Sequence, residues 1–444
     1  MALLLQFSQH NIFSRIAGSD DYYLVNLLSG NADILSKEKA EEILEHRYTD
    51  VDEYVSKGYL VDPAEEEHLY RKKYADFLDA RDKDEIQLFF VPWYTCNFAC
   101  SYCYQESYVQ QPGIPTEGVM DAFFGYIGRQ FVGRKKYLTL FGGEPLLPGT
   151  VYESVIARFL DGAASAGLET AIVTNGYTLV DYIDLLKRYR IREVQVTLDG
   201  MPGLHDVRRP LKGGGETFER IVRGIDAALD AGITINLRMV VDQENIADLP
   251  ALARFAVEKG WTDSPRFKTQ LGRNYELHTC QTDRQKLLSR LEMFEEVYAL
   301  IRKYPEILAF HKPAFSIARF LFEEGELPRP LFDSCPGTKT EWAFDASGRV
   351  YSCTATVGKS AEALGTFYPS VVLDQGLIAK WEERDVTAIA ACKACELRLA
   401  CGGGCASVAF NKTGEIQAPD CRPVKELLGM GISMYFNKEL QSNA

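Results

Sequence analysis

The chain has no excess of basic residues: across 444 residues, 49 Lys and Arg stand against 62 Asp and Glu, a formal charge of −13 at pH 7. A surface of that sign offers no general attraction to nucleic acid or to an anionic membrane, so either partner would need a local basic patch. No stretch reaches the ~18 apolar residues of a membrane-spanning helix, and the opening MALLLQFSQHNIF lacks the basic start of a signal peptide. A cytoplasmic protein with no membrane and no nucleic-acid partner is expected. Compositional bias is lacking too, with 46% hydrophobic and 25% charged residues, 35 Gly and 18 Pro, which excludes collagen-like, coiled-coil and disordered classes. At ~150 residues per domain the length suggests about three domains.

What the sequence does contain is 11 cysteines in two groups and a singleton. In a long chain of cytosolic type thiols stay reduced, so ligation is expected in preference to disulfides. Cys96, Cys100 and Cys103 form the first group, Cys335, Cys353, Cys392, Cys395, Cys401, Cys405 and Cys421 the second, and Cys280 stands alone. The first group reads C-N-F-A-C-S-Y-C directly after the apolar run Ile86 to Trp93, and a loop at a strand's end can turn three thiolates toward one point. Three are one short of a closed zinc or iron–sulfur site. An iron left without a thiolate can bind a substrate or cofactor, whereas zinc would need a distant fourth ligand.

Beyond this loop the pattern alternates. An amphipathic segment from Thr116 to Gln130 leads to a strand from Tyr137 to Phe141 that ends at Gly142-Gly143-Glu144-Pro145. The glycines permit close backbone approach to a ligand, and Glu144 can accept from an ammonium group. Helix 151–166, strand Thr170 to Thr174, helix 178–189, strand Glu193 to Leu198, helix 217–231, strand Thr234 to Val241, helix 246–259 and strand Arg266 to Leu271 follow. Such alternation implies parallel βαβ units with ligands at the carboxyl ends of the strands. That end would gather the cysteine loop, Gly142, Gly143, Glu144, Asn175, Thr197, Asp199 and Leu271. Asn175 and Asp199 serve equally well as turn residues that satisfy backbone groups.

The three-cysteine loop, with Tyr102 before its last cysteine and GGEP one βα unit later, resembles the radical S-adenosylmethionine enzymes. The resemblance implies an α/β fold, a partial (β/α)6 TIM barrel, with a [4Fe–4S] cluster on Cys96, Cys100 and Cys103 whose open iron chelates the amino and carboxylate groups of S-adenosyl-L-methionine. It further implies that Tyr102 lies near the adenine, that GGEP holds the amino group, and that Thr197 lies near the ribose or carboxylate. A reduced flavodoxin or ferredoxin would supply the electron that releases a 5'-deoxyadenosyl radical. The run from Asp199-Gly200 through His205-Asp206 to Arg208-Arg209 is similar to the family's D-G-x4-H-D-x2-R, in which His205 and the arginines could contact substrate or cofactor; a lone His also fits a structural role.

The second group reads Cys335, twelve residues, Gly348, four residues, Cys353, and later C-x2-C-x5-C-x3-C from Cys392 to Cys405, then Cys421. It resembles a SPASM domain, a carrier of auxiliary [4Fe–4S] clusters. Gly348 would turn with positive φ between short strands at Trp342-Ala-Phe and Val350-Tyr-Ser. The family's interleaved ligation implies an outer cluster on Cys392, Cys395, Cys401 and Cys421 and an inner one on Cys335, Cys353 and Cys405, hence three [4Fe–4S] clusters. The inner set lacks a fourth cysteine. Cys280 could close it, an open iron could bind substrate, or the Cys280 thiol could return a hydrogen atom as a catalytic donor in an epimerase. Zinc in the C-x2-C pairs stays open as well, since spacing does not choose the metal. Thr354 follows Cys353 where sulfatase-maturing relatives carry an Asp, and a hydroxyl is a poor base.

Ahead of the barrel, strands at Asn11 to Ile16, Tyr22 to Leu28 and Ala32 to Ser36 and helices at 37–46, 50–57 and 64–82 resemble a winged-helix peptide-recognition element. Residues 1–85 hold 10 Lys and Arg against 19 Asp and Glu, so DNA is not its partner. Pairing of a leader peptide with a strand edge is the expected use, and a stabilising cap on the barrel is the alternative. Leu287, Leu288, Leu291, Phe294, Val297 and Ile301 repeat at helical spacing. The expected organisation is therefore 1–85 recognition domain, 86–272 barrel, 273–330 helical bridge and 331–444 SPASM domain. The implied activity is radical modification of a ribosomally made precursor peptide, with a thioether or other oxidative crosslink as product. Formylglycine formation, epimerisation and plain iron–sulfur electron transfer are the competing readings.

Overall fold

A computed structural model of the chain describes residues 5–107, 113–274 and 286–436. Strand β1 (Gln6–Phe7) pairs antiparallel with β5 (Leu60–Val61), while β2 (Asn11–Arg15), β3 (Tyr22–Asn26) and β4 (Asn31–Leu35) form a separate antiparallel sheet with β3 in the middle. Helices Lys37–Leu44, Val51–Ser56 and Pro63–Arg81 complete this amino-terminal unit. The last starts where it does because Asp62 accepts from the Ala64 and Glu65 amides and Pro63 occupies its first turn. The unit docks on the carboxy-terminal region: Tyr70, Tyr74 and Phe77 surround Phe332 with ring centroids 5.1, 5.2 and 5.5 Å away. Tyr74 also donates to Asp385 at 2.6 Å, and Arg398 lies 3.2 Å from His10 Nε2. The alternative of a cap on the barrel thus meets a unit anchored to the second cysteine region.

Six parallel strands follow, β6 (Ile86–Val91), β7 (Lys136–Leu140), β8 (Thr170–Thr174), β9 (Ile191–Thr197), β10 (Ile235–Val241) and β11 (Phe267–Arg273). Alternate residues divide their two faces. Leu88, Phe90, Leu138, Leu140, Val194 and Val196 are wholly buried on the outer face, under helices such as Glu117–Gln130, Thr150–Ser165 and Phe218–Asp230. The inner face carries Gln87, Thr139, Gln195 and Thr197 and lines a cavity. One helix expectation shifts and one short helix is added. The stretch 246–259 opens as a 3-10 turn, Ile246–Asp248, before Leu249–Glu258, and a helix at Pro202–Arg208 was not foreseen because it is shorter than two turns. The bridging helix is Arg290–Lys303, fixed at its start by a reciprocal capping box of Ser289 and Glu292. It buries Val297 and Ile301 completely, and Tyr298 bonds Ser433 of the helix Val424–Phe436 at 2.8 Å.

The carboxy-terminal region does not build its own sheet. Strand β12 (Glu341–Asp345) pairs in parallel with β6, from Glu341↔Gln87 to Asp345↔Val91, and β13 (Arg349–Tyr351), β14 (Gly365–Thr366) and β15 (Val372–Leu373) continue outward. One ten-stranded sheet results, in the order β11-β10-β9-β8-β7-β6-β12-β13-β14-β15. Gly348 takes φ +82° in the β12–β13 turn, where a side chain would meet the Tyr368 carbonyl oxygen. Among the described residues no helix is long and apolar enough to cross a membrane.

Phe344 of β12 is fully buried, with its ring centroid 5.1 Å from that of Phe123 and 5.7 Å from those of Tyr126 and Phe367. Phe344→Ala is expected to cost about 3–5 kcal/mol. Urea unfolding checks this.

Candidate active site

A cavity of about 720 Å³ opens at the carboxyl ends of the parallel strands, and Cys96, Cys100 and Cys103 line it together with Tyr102, Gly142, Gly143, Asn175 and Thr197. The cysteine loop is held there by backbone. Gly143 has φ +51°, and a Cβ on it would collide with the Thr95 carbonyl oxygen and stand 2.7 Å from the Tyr94 carbonyl carbon. The Glu144 amide donates to Thr95 O at 2.9 Å, Trp93 Nε1 donates to Glu144 O at 2.6 Å, and the Gly143 amide donates to Gln105 Oε1 at 2.6 Å. The close approach these glycines allow is first of all to the cysteine loop itself. Burial, helped by Glu144, pushes the Cys96 thiol up to about 12. A half-buried thiol raised in this way needs a positively charged partner before it can ionise, which fits an iron cluster and equally fits another thiophilic metal.

Glu144 corrects an expectation. It is fully buried and does not line the cavity; its carboxylate accepts from Leu146 N at 2.8 Å, Thr174 Oγ1 at 2.6 Å and Asn175 N at 2.6 Å. Three internal donors occupy the oxygens that an ammonium group was expected to use, so Glu144 is a strut between the ends of β7 and β8. Burial outweighs those donors and pushes its carboxyl up to about 6.

Asn175 is a turn residue that also touches the cysteine loop. Its Oδ1 accepts from Tyr177 N at 2.9 Å as a turn residue, and its Nδ2, 2.8 Å from Asn97 Oδ1 and 3.8 Å from Cys96 Sγ, reaches the cysteine loop. Asp199 too satisfies internal groups. It is fully buried outside the cavity lining, accepts from Val240 N at 2.9 Å and from the Tyr102 hydroxyl, and so fixes the tyrosine that does line the cavity. His205 is likewise internal, accepting the Asp199 amide on Nδ1 at 3.1 Å, and burial lowers its pKa well below the usual range. Arg208 is buried and bonds both oxygens of Asp242 at 2.9 Å. Only Arg209 of this run faces the cavity, donating to the Tyr102 hydroxyl. Leu271 is the remaining correction: it packs against the apolar core and does not line the cavity. From this part of the chain Lys268, Arg273 and Asn274 line the cavity instead.

The second cysteine group divides in two. Cys353 is raised to about 12, first by burial, then by Glu341, Cys335 and Cys405, while Cys392 is raised to about 11, first by burial, then by Cys401, Cys395 and Cys421. Cys353 thus feels the charges of Cys335 and Cys405, and Cys392 those of Cys395, Cys401 and Cys421, although among the described residues no three His, Cys, Asp or Glu side chains are arranged to hold one metal ion. Arg384, fully buried, binds the carbonyls of Gly403, Gly404, Ile416 and Ala418 at 2.7–3.1 Å and staples the loops that carry Cys405 and Cys421. Cys280 lies outside the described residues. Thr354, next to Cys353, reaches the same cavity as the first cysteine group, and its amide donates to Glu341 Oε1 at 2.8 Å. Sequence reading missed Glu341, Gln105, Arg238 and Lys268. Polar residues at every second place of buried parallel strands, such as Glu193, Gln195 and Thr197, were the available signal, because strands covered on both faces are normally apolar throughout.

Since all three partners of the Glu144 carboxylate are arranged to donate, Glu144→Gln is expected to set an amide nitrogen against the Asn175 N–H and cost about 1–3 kcal/mol. Thermal or urea unfolding of the purified protein reads this, with no dependence on added S-adenosylmethionine.

Residues 90–256 match the Radical SAM superfamily. The chain is 32% identical over 171 residues to the GTP 3',8-cyclase of Caulobacter vibrioides, which covers 37% of this chain and 46% of that protein. It is 30% identical over 202 residues to the same enzyme of Agrobacterium fabrum, 44% of this chain and 54% of that protein. It therefore spans about half the length of these curated relatives. Among solved structures, anSMEcpe with bound AdoMet aligns at TM-score 0.62 and 16% identity over 81% of this chain and 98% of its own. Streptococcus suis SuiB bound to its precursor peptide SuiA aligns at TM-score 0.54 and 14% identity over 94% of this chain and 99% of its own. At these identities the likeness is one of fold. The fold, the three-cysteine loop at the strand ends and the superfamily match together make residues 90–256 a radical SAM domain.

Proposed function

We propose that the chain is a radical SAM peptide maturase with a SPASM domain, acting on a ribosomally synthesised precursor peptide and installing a thioether or other oxidative crosslink. The observation that carries the reading is that the first cysteine group and Thr354, the residue after Cys353, line one cavity. Cys96, Cys100 and Cys103 stand at one part of its wall and Thr354, adjoining Cys353, at another. A substrate in the cavity would lie against the first cysteine loop and Thr354 together.

In this reading Cys96, Cys100 and Cys103 hold a [4Fe–4S] cluster, the two carboxy-terminal sets hold auxiliary clusters, and the amino-terminal unit holds the leader. When bound, the first cluster and S-adenosylmethionine supply the radical that takes a substrate hydrogen. The remaining work falls to this chain's residues. Tyr102, clamped by Asp199 and Arg209, offers a fixed aromatic face at the cysteine loop. Asn175 and Thr197 present polar groups to the cavity, and Gly142 and Gly143 present backbone. For the leader, β4 is an outer strand of its sheet and exposes Ile34, which suits pairing with an extended peptide. The SuiB structure bound to SuiA supports a peptide substrate for this fold.

One observation favours a second reading, formylglycine formation. Glu341 sets a carboxylate on the Thr354 amide at 2.8 Å, beside the place where that branch carries its Asp.

Anaerobic reconstitution with iron counting, followed by assay of 5'-deoxyadenosine after reduction, tests the proposal. About twelve irons per chain and nucleoside release stimulated by a candidate precursor peptide are expected. About four irons with zinc present would remove the auxiliary clusters from it, and release stimulated by GTP and not by peptide would replace the substrate.

A further inference from the structure

Although the chain is acidic overall, the cavity presents five cationic side chains, Arg192, Arg209, Arg238, Lys268 and Arg273, against the single carboxylate of Glu193. Four of the five have partners. Arg192 lies 4.1 Å over the Tyr137 ring and 2.8 Å from Glu85, Arg209 donates to Tyr102, Lys268 is 3.4 Å from Glu193, and Arg273 donates to Leu288 O at 2.6 Å. The guanidinium of Arg238, on β10, has no hydrogen-bond or ion-pair partner among the described residues, and its Nε is buried without one.

The guanidinium is nevertheless seated. A Cβ at Gly272 of the neighbouring strand β11 would stand 2.6 Å from Arg238 Nε and 2.9 Å from Nη2. Gly272 is not among the glycines of positive φ, so backbone conformation does not require it. The missing side chain clears a seat against which the guanidinium lies. A guanidinium whose Nε is buried without a partner is costly unless a ligand completes it, and the group that matches it in shape and sign is a carboxylate.

We propose that Arg238, seated on Gly272, receives a carboxylate of the substrate, so that the segment presented to the cavity carries an Asp or Glu side chain. The inference rests on the peptide reading above. Its main competitor is the cofactor's own carboxylate, because Arg238 pairs in register with Thr197, the residue that the family resemblance sets near the cofactor's ribose or carboxylate.

The test uses the reconstituted full-length protein with saturating S-adenosylmethionine and follows its unfolding midpoint against a doubly blocked glutamate, acetylated and methylamidated. Blocked glutamine and pyrophosphate serve as the other arms. Blocked glutamate is expected to raise the midpoint saturably. Its half-saturating concentration should rise at least about tenfold in Arg238→Gln and in Gly272→Ala, the second variant filling the seat without touching the charge. Blocked glutamine should do nothing, and the affinity of Arg238→Gln for S-adenosylmethionine should stay within about twofold of wild type. No response in wild type, an equal response in Arg238→Gln, a response to pyrophosphate alone, or loss of S-adenosylmethionine binding in Arg238→Gln would each overturn the proposal. Release of 5'-deoxyadenosine on reduction, read on the same preparations, tests the underlying enzymatic reading separately from the carboxylate seat.

Discussion

The parallel ladder between β6 and β12 is the constraint on which the arrangement of both cysteine groups depends. Strand β6 feeds directly into the loop of Cys96, Cys100 and Cys103, and β12 leads through one tight turn and β13 to Cys353 and Thr354. Because paired residues of parallel strands point to the same side, the register Glu341↔Gln87 sets Glu341 on the cavity-facing side of β12, as Gln87 is on β6. A slip of one residue would turn that face to the helices and shift Thr354 relative to the cavity. Apolar contacts of Phe344 with Phe123, Tyr126 and Phe367 supply the register lock.

Around the cavity, charge is handled by internal struts. Glu144 joins the ends of β7 and β8, Asp199 joins β9 to β10 through Val240 N and to the cysteine loop through Tyr102, and Arg208 closes on Asp242. Each is buried, so each interaction is stronger than at the surface and each would be costly if left unmade. These residues leave the polar groups that do face the cavity, Asn175, Thr197, Arg209 and Arg238, at definite places. Arg384 performs the same service in the carboxy-terminal region, where four carbonyls converge on one guanidinium.

Much of the fold was legible because the strand and helix periods are clean: the six barrel strands begin and end within a few residues of their expected places. The three amino-terminal strands and the bridging helix were readable for the same reason. What sequence reasoning could not see were contacts between segments far apart in the chain. Nothing local in Glu341 to Asp345 announces a partner strand some 250 residues earlier, and the two-residue strands β1 and β5 are too short to show a period.

The candidate site divides along the same line. Cysteine spacing by itself determined which thiols can act together in the first loop, since residues three and four apart in a short turn are bound to be neighbours. Sequence also determined that Gly142 and Gly143 stand at a strand end. Only the tertiary structure decided that Glu144 and Asp199 turn inward as struts, that Leu271 faces the core, and that Arg238 and Thr354 share a cavity with Cys96. Side-chain direction at a strand end depends on what packs across from it, and those neighbours come from other strands.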